Sequence, residues 1–163
     1  MIMRTKNDPI VKTVAFLQNA WSPMYAGETW PRRSWLAALH ACRSGQRLKK
    51  LTDKMINIDI WYDNTTPIVG ANPSSVVKPD KQHIEKIILE QKPELIILFG
   101  RQAKEAVLYM WSGPTLILPH PACRTLTNAL YEQAANLFNL GLISNRKVEL
   151  VNKKDGTIET FGL

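Results

Sequence analysis

Leu95-Ile-Ile-Leu-Phe99 is apolar at every position and is cut off by Gly100. A run of this length with no polar member suits a strand covered on both faces, as in a parallel sheet. The flanking pattern agrees. Ile84, Ile87, Ile88 and Leu89 recur at helical spacing after Pro79-Asp80 and stop at Gln91-Lys92-Pro93. After the run, Gln102 to Trp111 places Ala103, Ala106, Val107 and Met110 on one helical face. Three further strands are expected: Val14-Ala-Phe-Leu17, the alternating stretch Met55 to Tyr62, and Thr115 to Leu118. Helices are expected over Ser34 to Arg43, ending near Gly45, and over Thr127 to Leu140. Strands alternating with helices predict an α/β fold, a three-layer α/β/α domain around a central four-stranded parallel sheet. Lys147 to Phe161 alternates on both sides of Asp155-Gly156 and predicts a C-terminal β-hairpin. The whole of 1–163 is expected to be a single domain, with 146–163 as a hairpin appendage.

The chain has 163 residues, 45% hydrophobic and 21% charged, within the range of globular domains. No apolar run approaches the roughly 20 residues of a membrane helix. Met1 to Pro9 mixes Arg4, Lys6 and Asp8 and has no apolar core of a signal peptide. A cytoplasmic location is expected, or a nuclear one in a eukaryote, with no membrane partner. Cys42 and Cys123 are the only cysteines and lie far apart, so no metal-ligand cluster is expected. The formal charge is +7, with 21 Lys and Arg against 14 acids. That balance favours a polyanionic partner. Arg32, Arg33, Arg43, Arg47, Lys49 and Lys50 gather between Trp30 and Leu51.

In open α/β sheets, ligands bind at the carboxyl ends of the strands. The loops expected there are Asn19 to Trp30, Asn64 to Val77, Gly100 to Gln102 and His120 to Thr125. Three strand ends offer a polar side chain: Asn19, Asn64 and His120. In Leu118-Pro-His-Pro-Ala-Cys-Arg-Thr125 the histidine can donate a hydrogen bond to developing negative charge. Arg124 can reach a phosphate or wedge into a groove. Each residue also has an ordinary structural role open to it. Asn19 can end a strand in a turn, and Asn64 sits in the turn composition Asp-Asn-Thr-Thr-Pro. His120 can satisfy a backbone group at a strand–turn junction, and Tyr25, Trp30 and Trp35 can be core aromatics. Cys123 lies near His120 as a nucleophile candidate, but no orienting partner is visible.

The order of these segments, from about Val14 to Phe138, resembles the uracil-DNA glycosylase superfamily. Val14-Ala-Phe-Leu-Gln-Asn19 resembles the first motif in its asparagine form, that of the mismatch-directed uracil/thymine branch. Ser22 to Gly27 and Pro31 to Leu36 resemble the loop and helix that follow there. Ile60-Trp-Tyr-Asp-Asn64 is similar to the strand ending in the base-reading asparagine. Pro93 to Ala103 resembles the strand–glycine–helix signature, and Leu118 to Thr125 the histidine-proline motif. Leu17 and Ala20 stand where the first motif usually carries glycine and proline. Gly70-Ala-Asn-Pro-Ser-Ser75 also imitates that motif, but lies too close to Leu95 to open the fold.

The resemblance implies a DNA glycosylase that flips uracil or a related pyrimidine out of the duplex, as a monomer without cofactor or metal. Asn19 would hold the attacking water, and His120 would stabilise charge on the leaving base. Asn64 would read the base edge, with Tyr25 or Trp30 stacking on it. Arg124 would fill the wedge position, and Ser74, Ser75, Lys78 and Arg101 would contact the DNA backbone. An amide cannot take a proton from water, so turnover should be slow. Two alternatives stand beside this expectation. One is a non-catalytic DNA-binding or interaction protein of the same fold; the other is an α/β enzyme acting on free nucleosides or nucleotides.

Overall fold

The computed structural model describes residues 3–19, 37, 39–72, 74–143 and 146–162. Six strands form one sheet in the order β2-β1-β3-β4-β5-β6. They are β1 (Val11–Leu17), β2 (Ile58–Asn64), β3 (Leu95–Phe99), β4 (Thr115–Leu118), β5 (Lys147–Asn152) and β6 (Ile158–Gly162). All neighbours run parallel except β5 and β6, which are antiparallel. Four described helices flank the sheet: α1 (Arg43–Thr52), α2 (Lys81–Gln91), α3 (Arg101–Val107) and α4 (Asn128–Asn139).

Strand alternation sorts the core into two layers. Ala15, Leu17, Ile97, Phe99, Leu116 and Leu118 face α1 and α4, against Leu48, Leu51, Leu130 and Ala134. Val14, Phe16, Ile96, Leu98 and Ile117 face the other way, against Ile84 and Ile87 of α2 and Ala103 and Val107 of α3. The domain is thus a three-layer α/β/α fold, as the alternation of elements predicts. No helix among the described residues is long and apolar enough to cross a membrane.

Two expectations need correction. The hairpin is not an appendage: β5 pairs in parallel with β4, Leu116 opposite Val148, and carries the sheet from four strands to six. Gly45 does not end a helix either. Cys42 breaks the helical path and caps α1, its Sγ accepting from the Gly45 N–H, and α1 then runs on to Thr52. Gly45 is inside that helix because a Cβ there would collide with the Leu39 carbonyl.

Candidate functional site

The register brings four strand tips level. Leu17 lies opposite Asn64, Phe16 opposite Leu98, and Phe99 opposite Leu118. Chain order reverses between β1 and β3, which makes the carboxyl ends of those strands the switch point where doubly wound sheets hold ligands. Asn19 follows β1 and His120 follows β4, two strands away, a span of about 10 Å at ordinary strand spacing. Between them lies the tip of β3, which carries Gly100 and therefore no side chain. Gly100 holds φ +92°, and a Cβ on it would stand 3.3 Å from the His120 Cβ. The positive φ favours glycine here, and any Cβ would press on His120 by a few tenths of an ångström.

His120 is held in one chemical form. Its Nδ1 accepts the Ala122 N–H at 3.0 Å. A neutral imidazole that accepts at Nδ1 carries its proton on Nε2. Burial pushes the pKa down to about 4, so the ring is neutral near pH 7. The result is a neutral Nε2–H donor at the tip of β4. The surrounding loop is fixed by backbone and side-chain bonds. The His120 carbonyl accepts from the Cys123 N–H at 2.8 Å, and the Tyr131 hydroxyl donates to the Pro119 carbonyl at 2.8 Å. Arg47 reaches across from α1 and donates to three carbonyls of the loop: Pro121 at 2.8 Å, Cys123 at 3.1 Å and Leu126 at 3.3 Å. Sequence reasoning placed Arg47 only in a basic cluster. No local signal marks it, because its partners lie more than seventy positions away.

Asn19 lies at the rim, but its amide is engaged. Oδ1 accepts from the Val77 N–H at 3.1 Å and from Gln18 Nε2 at 3.3 Å, and Nδ2 donates to the Ser75 carbonyl at 3.2 Å. With two donors already on Oδ1, that oxygen has no lone pair for a water. These bonds make Asn19 a strap that ties the 75–77 segment to β1, a structural role beside the water-holding one expected of it. Asn64 is buried at the end of β2, on the side of the sheet that Tyr62 shares with α1 and α4. Its carbonyl faces His83 Nε2 at 3.1 Å, and its N–H donates to Asp63 Oδ1 at 2.8 Å. Asp63 also accepts from Trp61 Nε1 at 3.1 Å and lies 3.5 Å from His83 Nε2. This buried Asp63–His83 support beneath Asn64 was not legible in the sequence.

The remaining candidates ring the same edge. Ser74, Lys78, Arg101 and Arg124 are exposed, and Ser75 is half-buried. Arg101 is paired with Glu105 at 2.9 Å. Ser74 Oγ donates to Asn72 Oδ1, and Ser75 Oγ accepts from the Asn72 N–H, so both serines shape their own turn. Tyr25 and Trp30 lie outside the described residues. The Cys123 thiol is 3.2 Å from Thr125 Oγ1, and that bond lowers its pKa against the opposing effect of burial. Among the described residues no three His, Cys, Asp or Glu side chains gather as a metal-ligand set.

No protein-family model, no curated protein and no solved structure matches this chain.

Proposed function

We propose that this chain hydrolyses the N-glycosidic bond of an extruded uracil or related pyrimidine in DNA, slowly and as a monomer. The observation that carries the reading is His120, a neutral imidazole with its proton on Nε2 beside a side-chain-free strand tip. In this reaction the bond between sugar and base breaks, and its electron pair leaves with the base. Negative charge collects on a pyrimidine oxygen while the sugar becomes oxocarbenium-like. A fixed N–H aimed at that oxygen stabilises the transition state without giving up its proton. Water then adds to the cationic carbon and releases its proton to solvent. Among the described residues the β1 tip carries an engaged amide and no carboxylate to stabilise the cationic sugar, which accounts for slow turnover. Asn64 supplies an amide for the base edge. Arg124 occupies the vacated stack, and Ser74, Ser75, Lys78 and Arg101 meet backbone phosphates.

Incubation with a uracil-containing oligonucleotide, followed by alkali, tests the reading. Strand cleavage at the uracil is expected at high enzyme concentration. His120→Ala should lower product formation by about 10²–10³-fold, the usual cost of one such donor, with DNA affinity nearly intact. Absence of abasic sites across uracil, thymine-mismatch and damaged-pyrimidine substrates would overturn the catalytic reading. The saturated Oδ1 of Asn19 favours a second reading, a DNA-binding protein of this fold without catalysis. Salt-dependent DNA affinity with no base release would select it.

A further inference from the structure

On the face of the sheet covered by α2 and α3, the two helices leave a groove of about 630 Å³. Its upper end opens at the strand-tip rim, where Lys78 and Lys81 stand. Its floor is apolar, with Ile84, Ala106 and Met110, and Tyr109 stands at its lower end. Tyr109 is 92% exposed, more than any other large apolar or aromatic side chain among the described residues. Gln102 also lines the groove, and its Oε1 is buried with no hydrogen-bond partner. An unpaired buried acceptor is costly, so this amide gains by meeting any donor that enters. Apart from Lys78, which the strand-tip site shares, none of these features serves that site.

We propose that this groove holds an unpaired nucleotide of the DNA strand that crosses the rim. Its phosphate lies at Lys78 and Lys81, and its base stacks on the Tyr109 ring above the apolar floor. The Gln102 amide meets the base edge. The lining decides how deep the charge goes. Glu105 is turned to Arg101 in an ion pair at 2.9 Å, while Glu85 lies along the wall. A phosphate is therefore favoured at the lysine end and opposed farther in, where only the uncharged base fits. A groove with cations at one end and an aromatic ring at the other combines the two elements by which proteins hold single strands with little sequence preference, phosphate attraction and base stacking. The proposal rests on the reading of this chain as a DNA-acting protein, not on its catalysis.

The test is fluorescence anisotropy of the full chain with labelled oligothymidylate and with a duplex of equal length, over a range of salt. Tyr109→Ala should weaken single-strand binding by about tenfold, the scale of one lost base–aromatic stack, and duplex binding much less. Tyr109→Phe should retain the affinity, because stacking uses the ring and not the hydroxyl. Gln102→Ala should weaken single-strand binding severalfold. Lys78→Gln with Lys81→Gln should lower the slope of log K against log salt by about 1.4, two single-strand phosphates. Unchanged single-strand affinity in both Tyr109→Ala and Gln102→Ala would overturn the proposal, whatever the lysines do. So would tight binding of free thymidine monophosphate without strand affinity. Uracil release is assayed in parallel: its absence, with the variants still weakening binding, removes the catalytic reading and leaves the groove standing.

Discussion

The imidazole of His120 is set by two neighbours that carry no charge: the protein interior around it and the Ala122 N–H. This has a consequence for stability. In the unfolded chain a histidine takes up its proton near pH 6.5, whereas in the folded chain His120 holds out to about 4. Between those values the unfolded state binds more protons, so folding weakens as pH falls. The stabilisation is fully present above about 6.5 and is lost progressively toward 4. It amounts to at most about 3 kcal/mol. His40 works in the same direction, first through burial and then through Lys49. Urea unfolding at pH 7, 5.5 and 4.5 should therefore show a smaller acid loss in His120→Asn than in the parent, with His40 and the carboxylates supplying the rest. Equal losses in both would mean that the imidazole is not held neutral by the fold. Gly100 was legible as a strand stop, but its closeness to His120 was not. A glycine announces freedom of backbone without saying which side chain approaches it.

At the scale of elements, α1 and the loop after β4 behave as one unit through Arg47. Its guanidinium fork spreads over carbonyls of Pro121, Cys123 and Leu126 and so fixes the turn that carries His120 and Arg124. Arg47→Met keeps the apolar stem and removes every donor. It should cost about 2 kcal/mol, the scale of a charge-assisted hydrogen bond, and speed amide exchange at Ala122, Cys123 and Leu126. Base release should fall more than DNA affinity. Lysine, a point donor without the planar fork, should rescue only part of the protection. Hydrogen exchange followed by mass spectrometry reads this directly, and unchanged exchange in the loop would dismiss the clamp. The strands and α2 were legible because their apolar periodicity is unbroken, and Asp80 caps α2 by accepting from the Gln82 and His83 N–H groups. The start of α1 was not. Gly45 reads as a helix stop, whereas its true constraint is close passage by the Leu39 carbonyl, a contact that pattern alone does not encode.

For the whole molecule, the decisive question is what the last two strands pair with. Alternation around Asp155-Gly156 identifies a hairpin but carries no information about its neighbour, so the sequence leaves it looking detachable. The fold places β5 along β4, buries Val148 and Leu150 completely or nearly so, and joins Glu149 to Lys104 of α3 at 2.7 Å. Taking away 146–163 would expose the β4 ladder and the side of the core that Val148 and Leu150 close. The two side chains alone account for about 3–6 kcal/mol of burial, against the roughly 5–15 kcal/mol by which a domain is stable. Adding the unpaired β4 edge, the shortened chain should lose cooperative unfolding. It should also lose the near-ultraviolet circular dichroism of packed aromatics, since Tyr131 and Phe99 meet edge-to-face at 5.9 Å inside that same layer. The site would go with it, because Pro119 and His120 leave the very strand that β5 supports. A truncated chain that unfolds at the same urea concentration and with the same steepness would instead restore the hairpin to the peripheral role its sequence suggests.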